Sequence, residues 1–418
     1  MSKLEDLIAE LCPNGVEYKK ISDVADYEQP TKYIVKSTKY DNSFATPVLT
    51  AGQSFILGYT DELDNIYLAS KDDPVIIFDD FTGAIQWVDF PFKVKSSAMK
   101  MITANSNVLI RYLYHWMALL GFSSSEHKRL WISTYSNFEI PVPPLDVQAE
   151  IVQILDTFTE LTENLTAELT ARSKQYEYYR DTLLTFDDNN PLHSLISRYC
   201  PNGLEYHSLE ELFVIKNGYT PSKSNSEFRT NGTVPWFRMD DIRAHGRVLS
   251  DSIQHVTKSA VKGGKLFPAN SIILATTATI GEHALVIVDS LANQQFTFFS
   301  KRESLGFDLD MKYVFYCFFI IDEWCKRNVN AASFASVDMP RLRKLEIPIP
   351  PLDVQRQIVQ ILDRFDALCN DLTQGLPAEI EARRNQYEYY RDQLLTFKHN
   401  VISCTSCTSE VRKILNEQ

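Results

Sequence analysis

Few groups of side chains in this 418-residue chain have the types that catalysis requires. Asp79 and Asp80 form a pair of acids between Phe78 and Phe81, but no companion group points to hydrolysis, and the run reads as a strand-end turn. Gly263-Gly264-Lys265 looks like the end of a phosphate loop, yet Leu266 follows and the first glycine of such a loop is missing, so it too reads as a turn. Cys404 and Cys407 make one CxxC in a Ser/Thr-rich tail with no second CxxC to complete a metal site. The eight histidines are dispersed. There is no GxGxxG, no P-loop, no HExxH and no Asn-Pro-Pro-Phe-type methyltransferase signature. Binding is favoured over catalysis, and no cofactor or metal is expected.

The binding chemistry on offer is cationic and amide. Lys93, Lys95 and Lys100, with Ser96 and Ser97 between them, form a small basic cluster near a strand end. The net charge of -12 argues against a nucleic-acid partner only if it is spread evenly, and it is not. Residues 207–346 carry 17 Lys/Arg against 15 Asp/Glu, and residues 19–139 carry 12 against 14. Most of the deficit lies in 140–199 and 347–397, so a local basic patch on either body is allowed.

The elements that must position these groups are written twice. CPNGVEY (Cys12 to Tyr18) returns as CPNGLEY (Cys200 to Tyr206), and IPVPPLDVQ (Ile140 to Gln148) returns as IPIPPLDVQ (Ile347 to Gln355). QYEYYRD (Gln175 to Asp181) returns intact at Gln386 to Asp392. The sequence between these segments is mostly not repeated. A period near 200 residues is a duplicated domain, not a solenoid. It implies one frame carrying two different bodies.

Each unit opens on a Pro-Asn-Gly turn, and its body reads as mixed α/β. Val75 to Phe78, Ile272 to Ala275 and Ala284 to Val288 read as buried strands. Val108 to Leu120 and Met311 to Trp324 read as helices, with Arg111-Tyr112 aligning on Lys312-Tyr313; the basic pairs Lys128-Arg129 and Lys326-Arg327 follow. Pro141 to Pro144 and Pro348 to Pro351 are expected to stop each body, with Asp146 and Asp353 as N-caps. Apolar residues spaced by three and four from Ile151 to Leu183, and from Ile358 to Leu394, predict two long helices that pack as a coiled coil. The second holds four extra residues near Gln374-Gly375-Leu376-Pro377, where a kink is expected.

These boundaries give a lead-in at 1–18, a body at 19–139, a helix at 140–187, a second lead-in at 188–206, a body at 207–346, a helix at 347–397 and a tail at 398–418. No signal pattern opens the chain, and the longest apolar run, Tyr313 to Ile321, is too short to span a bilayer, so a cytoplasmic protein with no membrane contact is expected. Seven scattered cysteines suit reduced thiols, with Cys12 and Cys200 as packed residues.

With the doubled Pro-Pro-Leu before a long helix, the doubled QYEYYRD, Gly218-Tyr219-Thr220-Pro221, Val234-Pro235-Trp236, Thr279-Ile280-Gly281 and Asn293-Gln294-Gln295, the chain resembles the specificity subunit of type I restriction–modification systems. Thr46-Pro47-Val48, Phe81-Thr82-Gly83 and Phe90-Pro91-Phe92 add to the likeness in the first body. The resemblance covers residues 1 to 397. It implies an α+β fold: two mixed α/β target recognition domains, joined and separated by two long antiparallel helices in a pseudo-twofold repeat. It implies that each domain reads one half of a split site in double-stranded DNA. It further implies assembly with two modification (methyltransferase) subunits, optionally with restriction subunits, and S-adenosylmethionine bound by the modification subunit rather than by this chain. Thr166 to Ala171 is similar to the four-residue helical repeats that some members use as spacers.

Base reading needs polar side chains on loops flanked by phosphate anchors. In the second body the candidates are Thr220, Lys223, Arg238, Arg243, Thr277, Thr279, Gln294 and Gln295, where Gln pairs with adenine and Arg with guanine. In the first body they are Lys71, Thr82, Lys93, Lys95, Ser96, Ser97 and Lys100. The competing reading is a coiled-coil scaffold that binds protein and has no DNA specificity.

Overall fold

The computed structural model describes residues 3–50, 55–121, 129–201, 203–330, 335–371 and 373–399. It divides into two compact units. One comprises residues 1–164 together with 381–418, and the other comprises 165–380. The first unit is thus built from both ends of the chain. Cys404, Cys407 and Lys128 lie outside the described residues.

The first unit begins with α1 (Lys3–Leu11), β1 (Glu17–Lys20), the single turn α2 (Ile21–Val24) and β2 (Ala25–Glu28). Its body continues through β3 (Thr46–Leu49), β4 (Ile56–Thr60), β5 (Val75–Asp79), β6 (Ile85–Val88), β7 (Lys93–Val94), β8 (Met99–Ala104) and α3 (Ile110–Leu120), and closes on β9 (Glu139–Val142). The strands form one sheet in the order β2-β8-β5-β6 and another in the order β4-β3-β7. β5 is buried along its whole length, as its unbroken apolar run requires. Helix α4 (Leu145–Leu184) follows as 40 continuous residues, on the order of 60 Å at about 1.5 Å per residue. Residues up to Asn164 belong to the first unit and those from Leu165 to the second.

The second unit repeats the plan with α5 (His193–Tyr199), β10 (Glu205–Ser208), α6 (Leu209–Leu212) and β11 (Phe213–Asn217). Next come β12 (Val234–Phe237), α7 (Met239–His245), β13 (Val248–Leu249), β14 (His255–Val256), β15 (Ser271–Ala275), β16 (His283–Val286), β17 (Leu291–Ala292) and β18 (Phe296–Lys301). The unit then runs through α8 (Met311–Arg327), β19 (Val329–Asn330), β20 (Ser336–Val337), α9 (Met339–Arg343), β21 (Glu346–Ile349) and α10 (Leu352–Asn370). α11 (Leu376–Leu394) leads back to the first unit. The sheets are β11-β18-β15-β16-β13 and β14-β12-β17.

The two bodies therefore share one topology despite their different sequences. β2, β8, β5 and β6 match β11, β18, β15 and β16, all antiparallel neighbours. The pair β3–β7 is parallel, as is β12–β17. Among the described residues the first body has no counterpart of α7 and β13.

The repeated frame docks each body by the same bonds. Gln148 is fully buried; its Oε1 accepts from Leu109 N at 2.8 Å, and its Nε2 donates to Asn107 O at 3.0 Å and Pro143 O at 2.7 Å. Gln355, also fully buried, accepts from Asp310 N at 2.9 Å and donates to Asp308 O at 3.2 Å and Pro350 O at 2.8 Å. Tyr112 Oη donates to Pro141 O at 3.0 Å, and Tyr313 Oη to Pro348 O at 2.8 Å. About two turns further along α4 and α10, Asp156 accepts from Arg111 and His115, while Asp363 accepts from Tyr316 and pairs with Lys312 at 3.4 Å. The alignment of Arg111-Tyr112 with Lys312-Tyr313 is thus matched bond for bond.

Three expectations are corrected. Asp146 and Asp353 are not N-caps but lie in the first helical turn; Pro144 O and Pro351 O begin the helices by accepting from the backbones of residues 147–148 and 354–355. The strands do stop within the Pro-rich runs, before Pro143 and Pro350, but not at the first proline. Pro141 and Pro348 lie inside β9 and β21, which among the described residues pair only with β1 and β10, and such two-stranded ribbons tolerate a proline on the free edge. The second helical stretch is broken rather than kinked. Asp371 Oδ1 accepts from Thr373 N at 2.7 Å and Gln374 N at 3.1 Å, and α11 starts afresh with Pro377 in its first turn. Gly375 passes so close to Ala367 O and Asp371 O that a Cβ would lie 2.6 and 2.7 Å from them.

Candidate nucleic-acid interface

In the second body three loops meet at one end of the β11-β18-β15 sheet: residues 218–223 after β11, 276–282 after β15, and 293–295 between β17 and β18. Gly218 N donates to Phe296 O and Tyr219 N to Ala292 O, both at 2.8 Å. Gly218 packs so tightly on Ala292 O and Asn293 O that any side chain would collide there. Thr276 N donates to Gln295 O at 2.9 Å, and the Thr276 and Thr297 hydroxyls meet at 3.0 Å. Thr297 in turn donates to Asn217 Oδ1 at 3.0 Å.

Five of the candidates sit together on these loops. Thr220 donates to Gln294 Oε1, Gln295 lies next in sequence, and Thr277 and Thr279 flank Ala278 at the tip of the β15–β16 loop. Thr279 Oγ1 has no hydrogen-bond partner among the described residues. Ala278 holds a left-handed φ of 61°, a strained choice for a residue with a Cβ. Lys223 is exposed on the first loop.

The two arginines divide. Arg238 lies over the Trp236 ring and pairs with Asp240 at 3.3 Å. Arg243 instead lines a cleft of about 940 Å³ with Arg180, Arg247 and Asp363, against α4 and α10. No hydrogen bond joins it to the three loops among the described residues.

Sequence reasoning missed what holds the first loop. Arg229 donates to Pro221 O at 3.0 Å and Ser222 O at 3.1 Å, and stacks on Trp236, whose Nε1 donates to Tyr219 O at 3.1 Å. Trp236 stood in a recognisable run, but nothing in the sequence ties Arg229 to it.

In the first body the matching loops are 80–84 after β5 and 95–98 between β7 and β8. Thr82 and Lys95, Ser96 and Ser97 fall on them, exposed or part-exposed. Asp79 Oδ1 accepts from Phe81 N at 2.9 Å and Thr82 N at 3.2 Å, which is the strand-end turn read from the sequence. Lys95 lies over the Tyr40 ring, and Lys71 is exposed on the turn 70–73.

Lys93 and Lys100 do not form the expected surface patch. Both strands turn these side chains inward, leaving them 0% and 1% exposed. Lys93 Nζ donates to Asp64 O at 2.7 Å and pairs with Glu62 at 3.0 Å. Burial opposes ionisation of Glu62, but bonds from Ser37 N, Lys93 and Lys36 N outweigh it and hold its carboxyl below the usual range. Lys100 pairs with Asp80 at 3.1 Å. A buried, paired ammonium cannot reach a phosphate, so the cluster reduces to Lys95, Ser96 and Ser97.

The comparisons agree with this duplicated architecture. The family model for the type I restriction modification DNA specificity domain matches twice, at residues 13–171 and 201–382. The chain belongs to that family and carries two copies of its domain. It is 43% identical, over 95% of its own length and 97% of the relative's, to the specificity subunit of the type I restriction enzyme EcoR124I/EcoR124II of Escherichia coli. It is 51% identical over 48% of its length, and 51% of the relative's, to the EcoprrI specificity subunit of the same organism. A crystal structure of a type I restriction–modification S subunit from M. genitalium shares the fold, with a TM-score of 0.59 at 14% identity, covering 91% of this chain and 96% of that one. No described helix is long and apolar enough to cross a membrane.

Proposed function

We propose that this chain is the non-catalytic DNA-specificity subunit of a type I restriction–modification complex. The first body reads one half of a split site in double-stranded DNA, and the second body reads the other. The loops bearing Thr82 and Lys95 to Ser97 serve the first half-site; those bearing Thr220, Thr277, Thr279, Gln294 and Gln295 serve the second. Lys71, Lys223 and Arg238 supply flanking phosphate contacts. The observation that carries this reading is that two bodies of one topology, docked by identical bonds, present different side chains on matched loops.

Two modification subunits bind, one to each copy of the frame, and bring the methyl-transfer chemistry and its S-adenosylmethionine; restriction subunits join that assembly. The duplicated QYEYYRD supports paired docking, because it presents the same ring twice to solvent, Tyr178 at 65% and Tyr389 at 63% exposure. The test is to exchange residues 207–346 for the equivalent body of a relative and sequence the methylated sites of a host that also makes the cognate modification subunit. One half-site changes and the other stays. A simultaneous change in both would overturn the reading.

A further inference from the structure

Gln295 sits part-exposed between β17 and β18, and the polarity of its amide is fixed by its neighbours. Its backbone N–H donates to Asn293 Oδ1 at 3.0 Å, which settles which face of Asn293 is the oxygen. Asn293 Nδ2 then points at the Gln295 side chain, 3.0 Å away. Two amino groups cannot face each other at that distance, so Gln295 must turn Oε1 inward. Its amino group is left without a partner among the described residues, on the loop that carries Gln294 and meets Thr220.

We propose that Gln295 is a specificity-determining residue that selects a keto base at one position of the second body's half-site; this rests on that body being a DNA reader. At the pairing side of the major-groove edge guanine O6 and thymine O4 accept a hydrogen bond where cytosine N4 and adenine N6 donate one; the purine N7 also accepts, but on the backbone side of that edge, away from this contact. An outward amide N–H₂ bonds the keto oxygen and meets a like donor on the amino base. Adenine's bidentate pairing with glutamine needs the amide oxygen outward, which Asn293 prevents. Each base pair offers one keto and one amino base, so this contact fixes which strand carries which. Discrimination at this position is on the order of 10- to 100-fold.

The test uses Gln295→Glu and Gln295→Met, each made with the cognate modification subunit, followed by sequencing of the methylated sites. Glutamate keeps an oxygen toward Asn293 and places a second oxygen where the amino group stood. One position of one half-site should then change on the same strand from a keto to an amino base, chiefly cytosine. Methionine keeps the length without either pole, and the same position should become degenerate. An unchanged motif in both variants, or a change in the other half-site, overturns the proposal. If neither variant methylates, selection of binding sequences from random duplexes by the purified complexes decides by the same criteria. A wild-type complex that selected no sequence would instead overturn DNA reading itself.

Discussion

Asp80 and Lys100 meet at 3.1 Å with both side chains 1% exposed, at the place in the first body where the Thr276 and Thr297 hydroxyls meet at 3.0 Å in the second. The register makes the match. Phe78 pairs with Lys100 across β5 and β8, as Leu274 pairs with Thr297 across β15 and β18. Asp80 also accepts from Trp131 N at 2.9 Å, and Lys100 lies over the Tyr27 ring. A buried polar pair thus supports the base of the loops in both bodies, ionic in one and neutral in the other.

Removing one partner should be far worse than replacing both. Asp80→Ala leaves a buried ammonium uncompensated and should cost about 3–5 kcal/mol. Asp80→Thr with Lys100→Thr copies the second body's arrangement and should cost clearly less than the single change. Denaturant titration of the three proteins measures this; a double variant as unstable as the single one would show that the two sites are not equivalent.

The buried glutamines of the frame should be needed for docking rather than reading. Gln148→Ala strands Leu109 N and two carbonyls, at a cost on the order of 3 kcal/mol. The protein should be destabilised while whatever methylation remains keeps its motif. An altered motif would mean that the frame takes part in recognition.

Much of this was legible because the frame is written twice. Gln148 and Gln355 end the two copies of Pro-Pro-Leu-Asp-Val-Gln, so the repeat marked the segment, while their docking bonds appeared only in the structure. The divergent bodies hid more. Lys93 to Lys100 read as a surface cluster because charge is usually solvated, but β7 and the first four residues of β8 are buried on both faces, so two of the lysines lie inside and meet acids distant in sequence. Glu62 lies 31 positions from Lys93, and no short-range pattern links them. Arg229 was missed for the same reason, since its acceptors are loop carbonyls.

The clamp at His115 should make the first unit sensitive to acid. Burial depresses the imidazole's pKa, Arg111 and Arg391 add to this, and Asp156 opposes it. Its Nε2 faces Asp156 at 2.9 Å, and its Nδ1 faces Tyr387 Oη at 3.0 Å. A histidine held neutral by the fold binds fewer protons than in the unfolded chain. Stability should therefore fall as pH drops below the unfolded value of about 6.5 toward the lower folded one. For Asp156, burial raises the pKa but the bonds from His115 and Arg111 lower it more, so its contribution is lost only at more acid pH. His115→Gln should flatten the loss of melting temperature as pH falls below about 6.5. An equally steep loss in the variant would place the sensitivity elsewhere.

Salt dependence separates the lysines. Lys95→Ala with Lys223→Ala should reduce the magnitude of the slope of log K against log salt by about 0.9 for each phosphate that is no longer neutralised. Lys93→Met should leave that slope unchanged wherever the protein remains folded, because its ammonium is internal. The reverse pattern in a filter-binding series would return Lys93 to the surface and refute its assignment.

Helix length should set the unread gap between the half-sites. Residues 166–168 and 170 are exposed on α4 while Leu165 and Leu169 are part-buried, so one added turn after Leu169 repeats the pattern without new burial. Thr170 Oγ1 already donates to Thr166 O at 3.0 Å, a bond that a four-residue insertion of the same composition reproduces. Such an insertion adds about 6 Å of helix and keeps the apolar stripe roughly in phase. Duplex DNA rises about 3.4 Å per base pair, so the gap should lengthen by one or two pairs with both half-sites intact. Two inserted residues would instead turn the stripe by about half a turn, moving Leu165 and Leu169 to exposed positions, and should abolish assembly. Sequencing the methylated sites of both variants measures the gap directly. An unaltered gap in the four-residue variant would show that α4 is not the ruler.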